Sequence, residues 1–172
     1  MCVVVVAATL FFAGCSSGSG GETSTDITAQ DSAAAQEEWL FSLQSGGITM
    51  FDQSSGVLSL PAGNLVAFTD RPYREERDLT PAEFVALFAE TGADSFSVDP
   101  PNASLTYWDG DGTDAIASTV IVEITGDVTD GADNVLSMEL RILFPSGAVI
   151  PAKMYRASLF VDGLSIGGGG AT

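Results

Sequence analysis

The sequence predicts a mainly β fold, an antiparallel β-sandwich or small barrel of about eight short strands with one helix at about residues 80–91. Three observations predict it. Apolar residues alternate with polar ones in several segments, which is the pattern of half-buried strands. Short Gly-, Ser- and Pro-rich steps separate these segments, as in antiparallel meanders. A single helical segment with a capping signature interrupts them.

The first half of the domain supplies four short strands. Turn-forming steps at 45–47, 54–56 and 61–63 separate them and indicate tight connections between sequence neighbours. The predicted strands are Trp39–Leu43, Ile48–Phe51, Val57–Leu60 and Leu65–Thr69.

The helix that follows has clear start and stop signals. Thr80 is suited to the N-cap, Pro81 to the first helical position and Glu83 to the third, and Gly92 is a suitable end. Its apolar side chains share one face, as expected of a helix that covers a sheet. They are Phe84, Leu87 and Phe88.

The second half of the domain supplies the remaining strands. Period-two alternation is strongest over residues 116–124 and 136–142, and the polar loop Thr125–Asn134 between them favours an antiparallel hairpin. Arg141 is then expected beside Glu123 or Glu139. Two further strands are predicted at Ser104–Trp108 and Met154–Val161.

The N-terminus resembles a bacterial lipoprotein signal peptide. An apolar run ends in Phe12-Ala13-Gly14-Cys15, where small residues precede a cysteine that can carry the lipid. The run from Val3 to Ala13 has about eleven residues, which suits a secretory signal and is shorter than the ~20 residues of a membrane-spanning helix. We therefore expect cleavage before Cys15 and lipidation of that residue with diacylglycerol and a palmitate-type acyl chain.

This signal divides the chain into four parts. We expect a signal peptide at 1–14, the lipidated Cys15 and a flexible tether to residue 37, a β domain at 38–163, and a disordered Gly-rich tail at 164–172. The tether has too little apolar surface to fold. The predicted location is the cell envelope, anchored in a membrane by lipid and exposed on the extracytoplasmic side.

The charge excludes one class of partner. Lys and Arg total 6 against 23 Asp and Glu, which gives a net charge of −17. Such a chain repels nucleic acid, since binding to phosphates depends on Lys and Arg. Membrane attachment is therefore expected through the acyl chains. The acidity itself fits either solubility or cation binding.

The residue types also restrict the chemistry. The chain has no His, Cys2 leaves with the signal peptide, and Cys15 carries the lipid. Zinc sites of Cys and His, Cys-His nucleophiles and Ser-His-Asp triads are thus excluded within this chain, and no cofactor is indicated apart from the calcium discussed below. Because these catalytic residue types are missing, the composition favours a protein that is not an enzyme.

Several ordered motifs resemble an uncharacterised family of bacterial envelope proteins. Members of that family read F-[ST]-D-R-P, T-x-E-F, D-S-F-x-x-D-P-P-N-A and S-L-F-[IV]-D, and the likeness extends over residues 39–162. The resemblance implies no activity. Where the relatives carry a Gly-His step before the helix, this chain has Glu76-Arg77-Asp78. The matching segments are Phe68–Pro72, Thr80–Phe84, Asp94–Ala103 and Ser158–Asp162.

The segment after the fourth predicted strand is the first candidate site. It places two arginines beside an aspartate, and Asp99 on a Pro-Pro turn is a candidate partner. One interpretation is a structural Asp–Arg network. Another is an anion or carboxylate site, with the arginines gripping the ligand and Tyr73 packing on it. A third is acid–base hydrolysis by two of Asp70, Glu75, Asp78 and Asp99. The ligand-binding candidates are Asp70, Arg71, Tyr73, Arg74 and Asp99.

An acidic Gly-containing loop is the second candidate site. Asp109, Asp111 and Asp114 offer carboxylates and the loop offers carbonyls, and both are ligands that calcium prefers. A plain turn between strands is the alternative, because Asp and Gly are common in turns.

Together these features favour a lipid-anchored envelope protein with a binding or structural domain and a protein or small-molecule partner. A module that binds a small ligand or calcium is the first alternative, and a carboxylate-dependent hydrolase is the second.

Overall fold

The computed structural model describes residues 38–92 and 95–165. The predicted signal peptide, Cys15 and the tether lie outside the described residues, as does the tail from residue 166 onward. Asp94, which opens one of the family-like motifs, is also outside them.

The described residues form one antiparallel sheet of nine strands, one α-helix and one short 3-10 helix, which confirms the prediction of a mainly β fold with a single α-helix. The 3-10 helix spans Ala132–Asn134. The strands and the helix follow one another as β1 Glu38–Ser45, β2 Thr49–Asp52, β3 Val57–Thr69, β4 Glu76–Asp78, α1 Pro81–Ala89, β5 Asn102–Trp108, β6 Ala117–Ile124, β7 Thr129–Asp130, β8 Val135–Phe144 and β9 Lys153–Ser165.

The sheet closes partly into a ring. Its strand order is β1-β3-β2-β9-β5-β6-β8-β7, with β4 beside β3, and further pairings join β1 to β9 and β3 to β8. Two long strands make this closure: the first half of β3 pairs with β2 and β8, and its second half pairs with β1 and β4. In the same way, β9 pairs with β2 near its start and with β1 and β5 further along.

Period-two alternation places one set of side chains inside the ring. In β9, Leu159 and Val161 are fully buried whereas Phe160 between them is exposed, and β6 buries Val120 and Val122 but not Ile121. We call the buried side the inner face and the other side the outer face. The large, fully buried residues are Phe41, Leu43, Leu58, Leu60, Phe84, Leu105, Ile124, Leu136, Met138, Ile150, Met154 and Leu159.

The helix starts as its sequence predicts. The Thr80 hydroxyl accepts a hydrogen bond from the Glu83 backbone N–H, and the Glu83 carboxylate accepts one from the Thr80 backbone N–H at 2.7 Å, which completes a capping box. Phe84 and Leu87 are buried and Phe88 is partly buried against the core. The helix ends at Ala89, before the predicted stop at Gly92.

Several element boundaries differ from the prediction. The expected break at Pro61–Gly63 is absent from the described chain, because β3 runs through it as one 13-residue strand. The short strand β4 was not predicted, and the expected loop Thr125–Asn134 contains β7 and the 3-10 helix. The β6–β8 hairpin itself is confirmed, and Arg141 forms its ion pair with Glu123.

Candidate functional site

The first candidate segment forms the turn of the β3–β4 hairpin. Phe68 pairs with Glu76 across the hairpin. At its base the Thr69 N–H donates to the Glu75 carbonyl at 3.0 Å, and the Glu75 N–H donates to the Thr69 hydroxyl at 2.8 Å. Arg74 has a φ of 58°, in the left-handed region that few non-glycine residues adopt. The segment Asp70–Arg74 therefore forms the turn between β3 and β4.

An open groove of about 680 Å³ lies against this hairpin, and we call it the hairpin groove. It contains three of the five predicted ligand-binding residues, Asp70, Arg71 and Arg74. Asp99 lies instead in the turn after the helix, where its N–H donates to the Ser95 carbonyl at 2.9 Å. Tyr73 is 40% exposed and is not part of the groove lining. Val66, Phe68, Thr69 and Glu76 also line the groove, and no pattern in the sequence marked them as site residues.

The predicted Asp–Arg network is not formed in the described parts of the chain. Across residues 38–92 and 95–165, the one ion pair joins Arg141 to Glu123. Asp70 and Asp99 therefore leave the guanidinium groups of Arg71 and Arg74 unpaired. This result corrects the structural interpretation of the segment, since its two arginines face an open groove instead of pinning the turn.

The other cations stack on aromatic rings. The guanidinium carbon of Arg77 lies 4.9 Å from the ring centre of Trp39, and that of Arg156 lies 5.0 Å from Trp108. The Lys153 ammonium lies 5.2 Å from the ring of Tyr155. A hydrogen bond to Tyr155, followed by the charge of that residue, raises the pKa of Lys153, so the ammonium is protonated at neutral pH.

The acidic loop is closed by one of these cations. The Arg156 guanidinium donates to the Gly112 carbonyl at 3.2 Å, which ties the loop to β9. Asp109 accepts from the Ile116 N–H at 2.9 Å and thereby caps the loop. No group of three acidic side chains in the described chain is arranged to hold a metal ion. Asp109, Asp111 and Asp114 are therefore not gathered into such a group, and calcium binding that also uses the carbonyls of the loop stays a prediction.

Two of the carboxylates considered for hydrolysis share the groove. Asp70 and Glu75 both line it and both are exposed. Asp78 and Asp99 do not line it, so the groove brings together one pair of the four candidates, and the hydrolase alternative stays a prediction for that pair.

Comparison with family models, with curated proteins and with solved structures gives no match. The described segments contain no helix with the length and apolar character of a membrane span.

Proposed function

We propose that this chain is a lipid-anchored protein of the cell envelope whose β domain binds a small anionic ligand in the hairpin groove. The anchor is supported by the sequence Phe12-Ala13-Gly14-Cys15. The binding role is supported by one structural observation: Arg71 and Arg74 line the same open groove and have no ion-pair or ring partner among the described residues.

The charge balance makes this observation informative. With 23 acidic residues and only 6 basic ones, carboxylates are available to pair with any exposed cation. The chain nevertheless leaves two guanidinium groups facing one groove. A guanidinium binds a carboxylate through two parallel N–H donors, which gives both strength and orientation. A carboxylate ligand is the simplest partner for this pair.

The acidic side chains of the groove restrict the ligand further. Asp70, Glu75 and Glu76 line the groove together with the two arginines. They repel a ligand that carries negative charge alone, and they accept hydrogen bonds from hydroxyl or ammonium groups. The ligand class that suits both the arginines and the acidic side chains is a carboxylate with hydroxyl or amino donors, such as a hydroxy acid or an amino acid.

The groove is tested with two acids that differ by one hydroxyl. The full chain carrying Cys15→Ser, which prevents lipid addition, is titrated with malate and with succinate while the side-chain N–H signals of its arginines are followed by NMR. We expect malate to shift the Arg71 and Arg74 signals more than succinate does. Arg71→Gln with Arg74→Gln should abolish binding. Arg141→Gln is the matched control and should retain it.

Three results would contradict binding in the groove. The first is that neither acid perturbs the Arg71 or Arg74 signals. The second is that the Arg141 signal responds as strongly as theirs. The third is that the double variant still binds. The anchor is tested separately by mass spectrometry of the exported protein. We expect a chain that begins at Cys15 with added acyl mass and that fractionates with membranes, and a chain without acyl mass would refute the anchor.

A further inference from the structure

A row of apolar side chains crosses the outer face of the sheet. Ser104 of β5 pairs with Phe160 of β9 on one side and with Ile121 of β6 on the other, and Ile121 pairs with Phe144 of β8. Phe68 of β3 continues the row, since its ring centre lies 5.9 Å from that of Phe160. We call Phe68, Phe160, Ile121 and Phe144 the apolar row.

These side chains do not belong to the core. Phe160 is 43% exposed between the buried Leu159 and Val161. Phe144, which pairs with Ile121 across a register shift in the β6–β8 ladder, is 68% exposed, and Phe68 and Ile121 are half-buried. Single exposed apolar residues are ordinary, but a contiguous exposed set on one sheet face is typical of a contact surface. The row therefore differs from the scattered Val98 and Val149, which are also exposed.

A shallow cavity interrupts the row at Ser104. It has a volume of about 250 Å³, and Phe160 and Ile121 lie on either side of it. Neighbouring strands are about 4.8 Å apart, so these two side chains stand about 10 Å apart with a small serine between them. That spacing admits one apolar side chain from a partner.

The charge beside the row is mostly acidic on one side, where the groove cations Arg71 and Arg74 also lie near Phe68, and absent on the other. Asp162 and Glu123 each lie two residues beyond a row member and thus share its face, and Glu76 pairs with Phe68. The nearby cation Arg141 is bound by Glu123. On the opposite side the neighbours are hydroxyls, where Thr106 and Thr119 bond to each other at 2.9 Å.

We propose that the apolar row docks a protein partner whose contact segment carries apolar side chains beside lysine or arginine. The acidic flank complements such a segment and repels an acidic one. A second copy of this chain is disfavoured as the occupant, because each copy carries a net charge of −17. The row shares Phe68 with the hairpin groove, but its other members and its protein partner differ from the rest of the groove and from its small ligand, so the proposal goes beyond the proposed function.

The test uses a synthetic amphipathic peptide of leucine and lysine as the probe. A peptide of equal length and charge, with serine in place of leucine, measures the purely electrostatic part. Affinities for the full chain carrying Cys15→Ser are measured by calorimetry at physiological ionic strength. We expect the leucine peptide to bind about tenfold more tightly or better, since insertion of apolar side chains removes their surface from water.

Matched variants assign this difference to the row. Phe160→Ser and Phe144→Ser should lower the affinity for the leucine peptide to that for the serine peptide. Val149→Ser removes an apolar side chain of similar exposure elsewhere and should have no effect. Arg71→Gln with Arg74→Gln, which removes the groove cations, should leave the preference for leucine intact, so the two proposals fail separately. Thermal unfolding followed by circular dichroism checks that each variant is folded.

Four outcomes would overturn the docking proposal. The first is equal binding of the two peptides, and the second is a Val149→Ser variant that weakens binding as much as Phe160→Ser does. The third is a dimer in sedimentation that Phe160→Ser dissociates, which would make the row a contact between two copies. The fourth is binding to vesicles of zwitterionic lipid through Phe160 and Phe144, which would make the row a membrane surface.

Discussion

Replacing Phe84 by alanine tests how strongly the helix α1 holds the domain together. Phe84 is fully buried and makes edge-to-face contacts with Phe41 of β1, at 6.0 Å between ring centres, and with Phe88, at 5.4 Å. Phe96, in the turn after the helix, packs on Phe41 and Phe88 as well. The Phe84 ring thus lies at the centre of the contacts between the helix and the sheet.

The expected loss of stability is large. Truncation of a buried phenylalanine costs about 3–5 kcal/mol, because the apolar surface is no longer buried and a cavity remains. The edge-to-face contacts of this ring place the change at the upper end, since each aromatic pair adds about 0.5–1.5 kcal/mol. For a domain of this size, such a loss lowers the melting temperature by roughly 10–20 °C.

The assay is thermal and urea unfolding of the full chain carrying Cys15→Ser, with and without Phe84→Ala. Phe144→Ala is the matched control, because it removes the same ring from a position that is 68% exposed, and we expect its melting temperature to change by only a few degrees at most. A Phe84→Ala chain that melts within a few degrees of the parent would show that the helix contributes little to the core. Equal losses in the two variants would refute the assigned burial.

Three further changes, with one control, test local contacts. Thr80→Ala removes the side-chain half of the capping box and should cost about 1 kcal/mol in urea unfolding. The hydrogen bond from the Thr80 backbone N–H, and then that from its hydroxyl, lower the pKa of Glu83. The stability that Glu83 contributes is therefore present above its ordinary value of 4.5 and is lost as the pH falls through the lowered folded value, so Glu83→Gln should flatten this part of the profile. Gly63→Ala should destabilise the chain, because a Cβ there would lie 2.8 Å from the Gln44 carbonyl oxygen, whereas Gly92→Ala meets nothing within 4 Å and should be tolerated.

The period-two pattern predicted the positions of the strands better than it predicted which strands pair with each other. The β6–β8 hairpin could be predicted because both strands alternate strongly and only a polar loop separates them in sequence. The pairings of β1 with β9 and of β3 with β8 could not, since any two strands with the same period-two pattern are compatible. Ring closure depends on contacts that are distant in sequence, and alternation carries no information about them.

The errors in element boundaries have identifiable causes. Pro61 and Gly63 suggested a break, but Gly46 donates its N–H to the Pro61 carbonyl at 2.8 Å, and Gly63 lets the chain at Gly46 approach closely. Both residues are therefore used inside a continuous strand. The strand β4 was missed because its three residues are all charged and exposed, and its ladder exists only because β3 lies beside it.

The sequence indicated three residues that line the groove, but it did not indicate whether their side chains bond to one another. It indicated that Asp70, Arg71 and Arg74 lie at the end of a strand, and all three line the groove. The expected bonds between them depend on the hairpin geometry, which is set by the partner strand and by the left-handed backbone at Arg74. In the acidic loop, the carboxylates were visible in the sequence, whereas Arg156 comes from β9, more than forty residues later.

The groove and the apolar row meet at Phe68, which lines the groove and packs on Phe160. A carboxylate bound by Arg71 and Arg74 neutralises positive charge at this end of the row. The neighbouring Glu76 and Asp70 then present a more negative surface to a basic partner. Binding in the groove should therefore strengthen docking on the row, and linkage requires the partner to strengthen ligand binding by the same factor. Through this coupling, occupancy of the groove would change the affinity of the domain for the protein docked on the row.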